Sequence, residues 1–220
     1  MKIIARIRNA YDGKFGVPRQ SGLVEEVVSD IVFEPEYRVQ EALRGIEAFS
    51  HLWLIWAFDR AERDTWSPTV RPPRLGGNLR VGVFATRSPY RPNAIGLSCV
   101  KLVGIEKGRE GTVLKVAGAD LVNGTPIYDI KPYLPYADCK PEATGGFTDK
   151  TEKRQVEVVF PENLAGKMDA EDLRALKAVL REDPRPAYQE DPERIYAFEF
   201  AGKHIEFRVE EKVLKVLRIE

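Results

Sequence analysis

The sequence predicts a mainly β protein, an antiparallel sandwich or barrel followed by a small α+β unit, on three observations. Residues 2 to 130 consist of short apolar runs cut by Gly, Pro, Asn and Asp clusters roughly every 10 to 20 residues, with little helical periodicity. Residues 132–151 then gather Pro132, Pro135, Pro141, Gly145 and Gly146 and few long apolar side chains, the composition of a linker. Beyond a boundary near residue 145 the pattern becomes one amphipathic helix with alternating strands around it.

Taken in order, the strand candidates of the first part are Ile3–Ile7, Leu23–Val28, Leu52–Phe58, Leu79–Phe84, Leu97–Ile105 and Thr112–Ala117. One helix is expected over Tyr37–Phe49, where Val39, Ala42, Leu43 and Ile46 recur at helical spacing, although Gly45 weakens it. In the second part Gln155–Phe160 alternates with Val156, Val158 and Phe160 on one face. Met168–Arg181 reads as a helix with Asp169 as N-cap, a stripe of Leu173, Leu176, Val179 and Leu180, and Pro184 as its stop. Tyr196, Phe198 and Phe200 alternate, Ala201-Gly202-Lys203 can turn, and Ile205, Phe207 and Val209 alternate again, so a hairpin follows, completed by Val213–Ile219.

The chain has 220 residues, enough for a core without staples, and 34 Lys+Arg balance 34 Asp+Glu. Its longest apolar run, Leu52–Phe58, is far short of the roughly 20 residues of a spanning helix. Charges interrupt Met1–Arg8 where a signal peptide would be apolar, so a cytoplasmic protein is expected. Cys99 and Cys139 stand alone and are expected as free thiols.

Zero net charge argues against a protein that merely coats nucleic acid. Its distribution says more. Residues 65–105 hold no Asp or Glu, while Arg71, Arg74, Arg80, Arg87, Arg91 and Lys101 make that stretch strongly basic, suited to an anionic or nucleotide-like ligand or to pairing with distant acids.

Familiar chemistries fail. No GxGxxG or P-loop is present, no HExxH or Cys/His ligand set supports a metal, and no Gly-x-Ser-x-Gly supports a serine hydrolase. Of the two histidines, His204 alternates with Glu206 and Arg208 on a solvent face, and His51 opens a buried strand.

The unusual feature is the loop within Gly82–Ser98, which carries Arg87, Pro89, Arg91, Pro92 and Asn93 between two apolar runs. Prolines stiffen it and arginines load it with planar donors, so it is built either to hold a ligand or to satisfy nearby carbonyls.

That run, with Arg71-Pro72-Pro73-Arg74-Leu75-Gly76-Gly77-Asn78, Phe49-Ser50-His51-Leu52-Trp53, Pro18-Arg19-Gln20, Asp120-Leu121-Val122-Asn123-Gly124-Thr125-Pro126 and Asp129-Ile130-Lys131-Pro132-Tyr133, resembles the TsaA-like, tRNA methyltransferase O family over residues 1 to 140. Asp183-Pro184-Arg185-Pro186-Ala187-Tyr188 resembles the C-terminal extension of its longer members. The resemblance implies a small closed or nearly closed β-barrel (residues 1–145), holding cofactor and catalytic residues, followed by an α+β domain (146–220) for tRNA recognition. It further implies a homodimer that binds S-adenosylmethionine and methylates N6 of threonylcarbamoyladenosine beside the anticodon. The family's cofactor contacts fall on Pro18, Arg19, Gln20, His51, Leu52, Arg87, Leu97, Asp120, Leu121, Val122 and Asn123. Asn123 stands where Asp is frequent, which removes any role needing a carboxylate there.

The residues fit that chemistry. Arg19 or Arg87 can grip the cofactor's carboxylate and Asp120 can accept from ribose hydroxyls. Methyl transfer is an in-line displacement that alignment alone accelerates, but the ureido nitrogen must lose a proton, for which Asp129 and Tyr133 are the candidate base or orienting groups. Asp129 as a turn residue and Tyr133 as a core or interface aromatic are the competing structural roles. For RNA the candidates are Arg91, Arg185 and Tyr188, an arginine gripping phosphate or stacking and a tyrosine stacking on an unpaired base; the alternative is a corner in which Arg185 pairs with Asp183. From residue 138 onward 19 acidic residues outnumber 15 basic ones, so recognition there rests on a few placed groups. The rival functions are a module that binds the cofactor or RNA without turnover and a methyltransferase acting on another substrate.

Overall fold

A computed structural model describes the chain except residues 62–64, 76–78, 152–154 and 186–190 and the side chain of Arg74. Its strands and helices, in chain order, are β1 (Ala5–Arg8), β2 (Val28–Phe33), β3 (His51–Ala57), β4 (Thr69–Val70), β5 (Val81–Gly82), β6 (Ile95–Gly108), β7 (Gly111–Ala117), β8 (Pro126–Pro132), α1 (Pro135–Asp138), β9 (Glu157–Val159), α2 (Glu162–Ala165), α3 (Ala170–Arg181), β10 (Tyr196–Phe200), β11 (Lys203–Glu210) and β12 (Val213–Ile219).

Six strands close into a barrel in the order β1-β2-β7-β6-β3-β8, with β8 returning to β1 through Ala5↔Ile127. Alternation explains the closure: Leu52, Leu54 and Trp56 of β3, Ile31 of β2, Val100 of β6, Leu114 and Val116 of β7 and Ile127 of β8 all point inward. Each such side chain withdrawn from water contributes about 1.5–3 kcal/mol. The 14-residue β6 changes register between Leu102 and Gly104, an irregularity that lets one long strand bend around the ring.

The second body is a sheet in the order β10-β11-β12-β9, with β9 parallel to β12 and α3 covering one face through Ala175, Leu176, Val179 and Leu180. Asp169 caps α3 as the sequence predicts, its carboxylate accepting from the backbone N–H groups of Glu171 (3.0 Å) and Asp172 (2.9 Å). The β10–β11 hairpin turns on Ala201 (φ 52°) and Gly202 (φ 69°), the left-handed pair a tight two-residue turn requires.

The two bodies share chain. Tyr11, Val24 and Val27, from the connection between β1 and β2, are buried in the core of the second sheet rather than in the barrel. Tyr11 bridges Phe200, the Ala201 N–H donates to the Ala10 carbonyl (3.0 Å), and the Gly202 N–H donates to Asp12 (2.9 Å). Arg19 donates to the carbonyls of Arg185 (2.8 Å) and Asp183 (3.4 Å).

Four expectations are corrected. Tyr37–Phe49 is not an α-helix but three short 3-10 turns, Pro35–Tyr37, Gln40–Leu43 and Ile46–Ala48, interrupted where Gly45 takes φ 90°. The side chains that pack on the barrel there are Tyr37, Leu43, Ile46 and Phe49, the last three spaced three apart, which is the 3-10 period, while Val39 is exposed. Leu23–Val28 is a connection, not a strand. The strand β2 begins at Val28 and was masked by Ser29 and Asp30, which earn their places through Asn9 (3.2 Å) and the cross-strand partner Lys115 (2.8 Å). Leu79–Phe84 contributes only the two residues of β5, paired with β4, before a 3-10 turn over Val83–Ala85. Asp129 is no turn residue: it lies within β8, a strand whose prolines and charges hid it and which closes the barrel.

Candidate functional site

At one end of the barrel a cleft of about 830 Å³ opens between the end of β3, the start of β6, the loop after Val83, the segment 14–20 and the segment after β7. Pro18, Arg19, Gln20, Arg87, Arg91, Leu97, Asp120 and Val122 line it, so seven of the cofactor residues implied by the resemblance, together with Arg91, converge there.

Local sequence sets each wall. Gly96 faces Trp56 across the β3–β6 ladder, and with no side chain of its own it leaves room for the indole. The Trp56 Nε1–H donates to the buried Ser98 hydroxyl (2.9 Å), which donates in turn to Asp120 Oδ1 (2.5 Å). That hydroxyl thus uses both its donor and its acceptor capacity to aim a carboxylate at the cleft. Burial pushes the Asp120 carboxyl above the usual carboxylate range, opposed by the Ser98 hydrogen bond and by the positive charge of Arg87. Arg87 also donates to the Gln20 amide oxygen, so the arginine loop and the segment 18–20 meet across the mouth. At the back, Lys14 donates to the Arg60 carbonyl and Arg60 to the Asn123 carbonyl (2.9 Å).

The loop after Val83 braces itself. Thr86 accepts from the Ser88 N–H (3.2 Å) and donates to the Val83 carbonyl (2.8 Å), and Arg91 donates to the carbonyls of Thr86 (3.0 Å) and Ser88 (3.4 Å). Of the two arginines, Arg91 therefore satisfies carbonyls while Arg87 faces the cleft.

The remaining candidates lie elsewhere. Leu52 and Leu121 are wholly buried in the barrel core and do not line the cleft. Asn123 accepts from the Asn9 N–H (3.2 Å) and acts as a brace. His51 stands at the opposite end of β3, about 17 Å from Trp56 at the usual rise per residue. Its Nδ1 meets the Ser50 hydroxyl (2.9 Å) and its ring packs edge-on to Tyr133 (centroids 6.2 Å apart). Asp129 forms an ion pair with Lys131 (2.9 Å). Ladder register places Leu97, Ile55 and Asp129 side by side, then Cys99, Trp53 and Lys131, all on the outer face of β6, β3 and β8, with Tyr133 continuing it beside His51. Asp138, held below the usual range by the Leu134 N–H and then by the Trp53 indole, closes this face.

Arg185 requires a correction. It is buried, and its guanidinium is clamped by both carboxylate oxygens of Asp183 (2.8 and 2.9 Å), the pairing of the structural-corner alternative. Tyr188, like Gly76, Gly77 and Asn78, lies outside the described residues. Sequence reasoning passed over Trp56, Gly96 and Ser98; the signal for them was a serine and a glycine at inward positions of an otherwise apolar strand. Among the described residues no group of three His, Cys, Asp or Glu side chains could hold a metal, and no helix is long and apolar enough to cross a membrane.

Comparison with known proteins points the same way. The tRNA-methyltransferase O N-terminal domain matches residues 6–139 and the TrmO C-terminal domain matches residues 153–220. A tRNA (adenine(37)-N6)-methyltransferase of Escherichia coli is 40% identical over 225 residues, spanning 99% of this chain and 96% of its own. A "Probable S-adenosyl-L-methionine-binding protein" of Archaeoglobus fulgidus is 38% identical over 150 residues, 68% of this chain and 38% of its own. A crystal structure of TrmO from Pseudomonas aeruginosa superposes with a TM-score of 0.79 at 30% identity, covering 99% of this chain and 97% of that one.

Proposed function

The chain belongs to the tRNA-methyltransferase O family, and on that premise we propose that it is a tRNA (adenine-N6)-methyltransferase that uses S-adenosylmethionine to methylate N6 of threonylcarbamoyladenosine beside the anticodon. The observation that carries this reading is the convergence of Arg19, Gln20, Arg87, Leu97, Asp120 and Val122 on one cleft from four separate stretches of chain. The donor set fits the cofactor: guanidinium groups for a carboxylate, a carboxylate for ribose hydroxyls, and the apolar faces of Trp56, Leu97 and Val122 for an adenine. When bound, the cofactor supplies a methyl group activated by a sulfonium. The protein's own contribution is alignment, with Asp120 fixed through Ser98 and Arg87 fixed through Gln20.

The chain works as a homodimer joined through the outer face of β6, β3 and β8. Support comes from the half-exposed apolar side chains there, Leu97, Ile55, Trp53 and Tyr133, and from the separation of His51, Asp129 and Tyr133 from most of the cleft. A second copy on this face brings those residues toward the reacting nitrogen, where Asp129 and Tyr133 accept or orient its proton. The barrel part, residues 1–145, holds cofactor and chemistry, and residues 146–220 serve tRNA recognition. A tRNA substrate places the enzyme in the cytoplasm.

The test is nucleoside mass spectrometry after incubation with cofactor and a defined tRNA, with and without the threonylcarbamoyl group. A methylated product only from the modified tRNA supports the reading; cofactor binding without transfer, or label in protein or small molecules, overturns it. Mixing Arg87→Ala with Asp129→Ala, each inactive alone, restores activity if the site is shared between subunits. No recovery from two folded dimeric variants assigns both residues to one subunit's site.

A further inference from the structure

Two large aromatic side chains at the rim of the cofactor cleft stand in solvent against each other. Trp66 is 52% exposed and Phe84 72%, and their rings stack with centroids 6.1 Å apart and planes 29° from parallel. Leaving so much aromatic surface in water is unfavourable, and stacking the two rings on each other relieves little of it.

The two segments that carry the pair are tied to each other. Val83 is buried beside Phe84, its N–H donates to the Pro68 carbonyl (2.9 Å), and the 3-10 turn over Val83–Ala85 turns the next side chain outward. On the other side the β4–β5 ladder, Thr69 opposite Gly82, ties the segment that follows Trp66 to the same turn, and the Ser67 hydroxyl donates to the Thr69 carbonyl (2.8 Å). Phe84 forms part of the cleft wall, and the guanidinium of Arg91, itself anchored on the Thr86 and Ser88 carbonyls, lies 6.0 Å from the Phe84 ring centre.

Charge decides the kind of partner. The stretch 65–105 has six basic residues and no acid, whereas the chain as a whole is neutral. Exposed aromatic rings set among arginines match an unpaired, stacked base flanked by phosphates, since every base offers a π face and every linkage a negative charge. We infer that Trp66 and Phe84 form a stacking platform for an unpaired loop base of the RNA substrate, next to the nucleotide that enters the cleft. This rests on the function proposed above and names where that RNA is gripped.

The experiment uses the full chain and a short anticodon stem-loop RNA that carries the threonylcarbamoyl group on the adenosine beside the anticodon. Trp66→Ala should raise the KM for RNA on the order of tenfold, the usual effect of removing one base–aromatic stack, while affinity for S-adenosylmethionine alone and melting temperature hold. Trp66→Phe should recover most of the loss, because it restores a ring without the indole. Binding of the RNA should also quench a tryptophan emission that Trp66→Phe no longer shows. An unchanged KM in a parent that methylates normally would sink the platform and leave the proposed function standing. A parent that methylates no RNA would sink the function itself. A fall in mass by light scattering for Trp66→Ala would show that the rings contact a second protein copy, and would overturn the assignment to RNA.

Discussion

The indole of Trp56 occupies the space where a side chain on Gly96 would be: a Cβ there would come within 2.2 Å of the ring. The contact joins β3 to β6 at the mouth of the cleft and holds the indole where it can bond Ser98. Gly96→Ala should therefore force the ring away, lowering stability by about 1–3 kcal/mol, the usual cost of overpacking. Cofactor affinity should fall with it, because the Ser98–Asp120 contact loses its support. A melting curve and a cofactor titration together check this.

Asp120 gives a pH signature. Its carboxyl is raised above the ordinary 3.8, chiefly by burial, so the folded state disfavours the charged form. Its contribution to stability is complete below the unfolded value and is lost as pH rises through the raised folded value. Asp120→Asn should thus be at least as stable as the parent at pH 7, with the difference closing as pH falls below 3.8, while cofactor affinity drops. Denaturant melts across that range measure it; a difference that widens toward acid would contradict the account.

The Asp183–Arg185 pair is buried, and Arg19 leans on its backbone carbonyls. Asp183→Ala removes the bidentate partner of a buried guanidinium, a loss of about 3–5 kcal/mol. Asp183 also sits at φ 46°, a conformation that suits Asp or Asn and penalises Ala further. Asp183→Asn should cost less than Asp183→Ala, and both should weaken cofactor binding by loosening the segment that carries Arg19 and Gln20.

The His204 Nδ1–H donates to the Glu199 carboxylate (2.6 Å), and the imidazole pKa is raised above 6.5 first by that hydrogen bond and then by the charges of Glu199 and Glu206. The stabilisation is present below 6.5 and fades as pH rises through the raised value. In Glu199→Gln the imidazole titration followed by NMR should move down toward 6.5; an unmoved curve would remove Glu199 as the cause.

Asp169→Ala should cost about 1 kcal/mol, the usual value of an N-cap, because two N–H groups of α3 lose their acceptor. In a protein of this size that is a melting shift of about 2–4 °C. A shift near zero would mean that water replaces the cap.

The family resemblance, not periodicity, pointed to seven of the residues that line the cleft. The sequence by itself determined the class of the fold and the second sheet with its long helix and cap. Those features are written in short-range periodicity: Phe198, Phe200, Ile205 and Phe207 alternate, and Leu176, Val179 and Leu180 recur at helical spacing, because strand and helix each impose their own period on the buried side. Elements whose residues answer to distant partners escaped it. β2 carries an Asp30 that its cross-strand neighbour Lys115 explains, β8 carries prolines and charges, and the turns over Tyr37–Phe49 are set by the barrel they cover. Tertiary structure alone decided that Arg185 turns inward to Asp183, that Ser98 aims Asp120, that the connection holding Tyr11, Val24 and Val27 belongs to the second core, and that His51 lies far from Trp56. For Arg185 and Ser98 the physical reason is that a charge or hydroxyl takes its role from whatever group the fold brings within hydrogen-bonding distance, and for the connection and His51 it is that chain path, not local periodicity, decides which core or which end of the barrel a residue reaches.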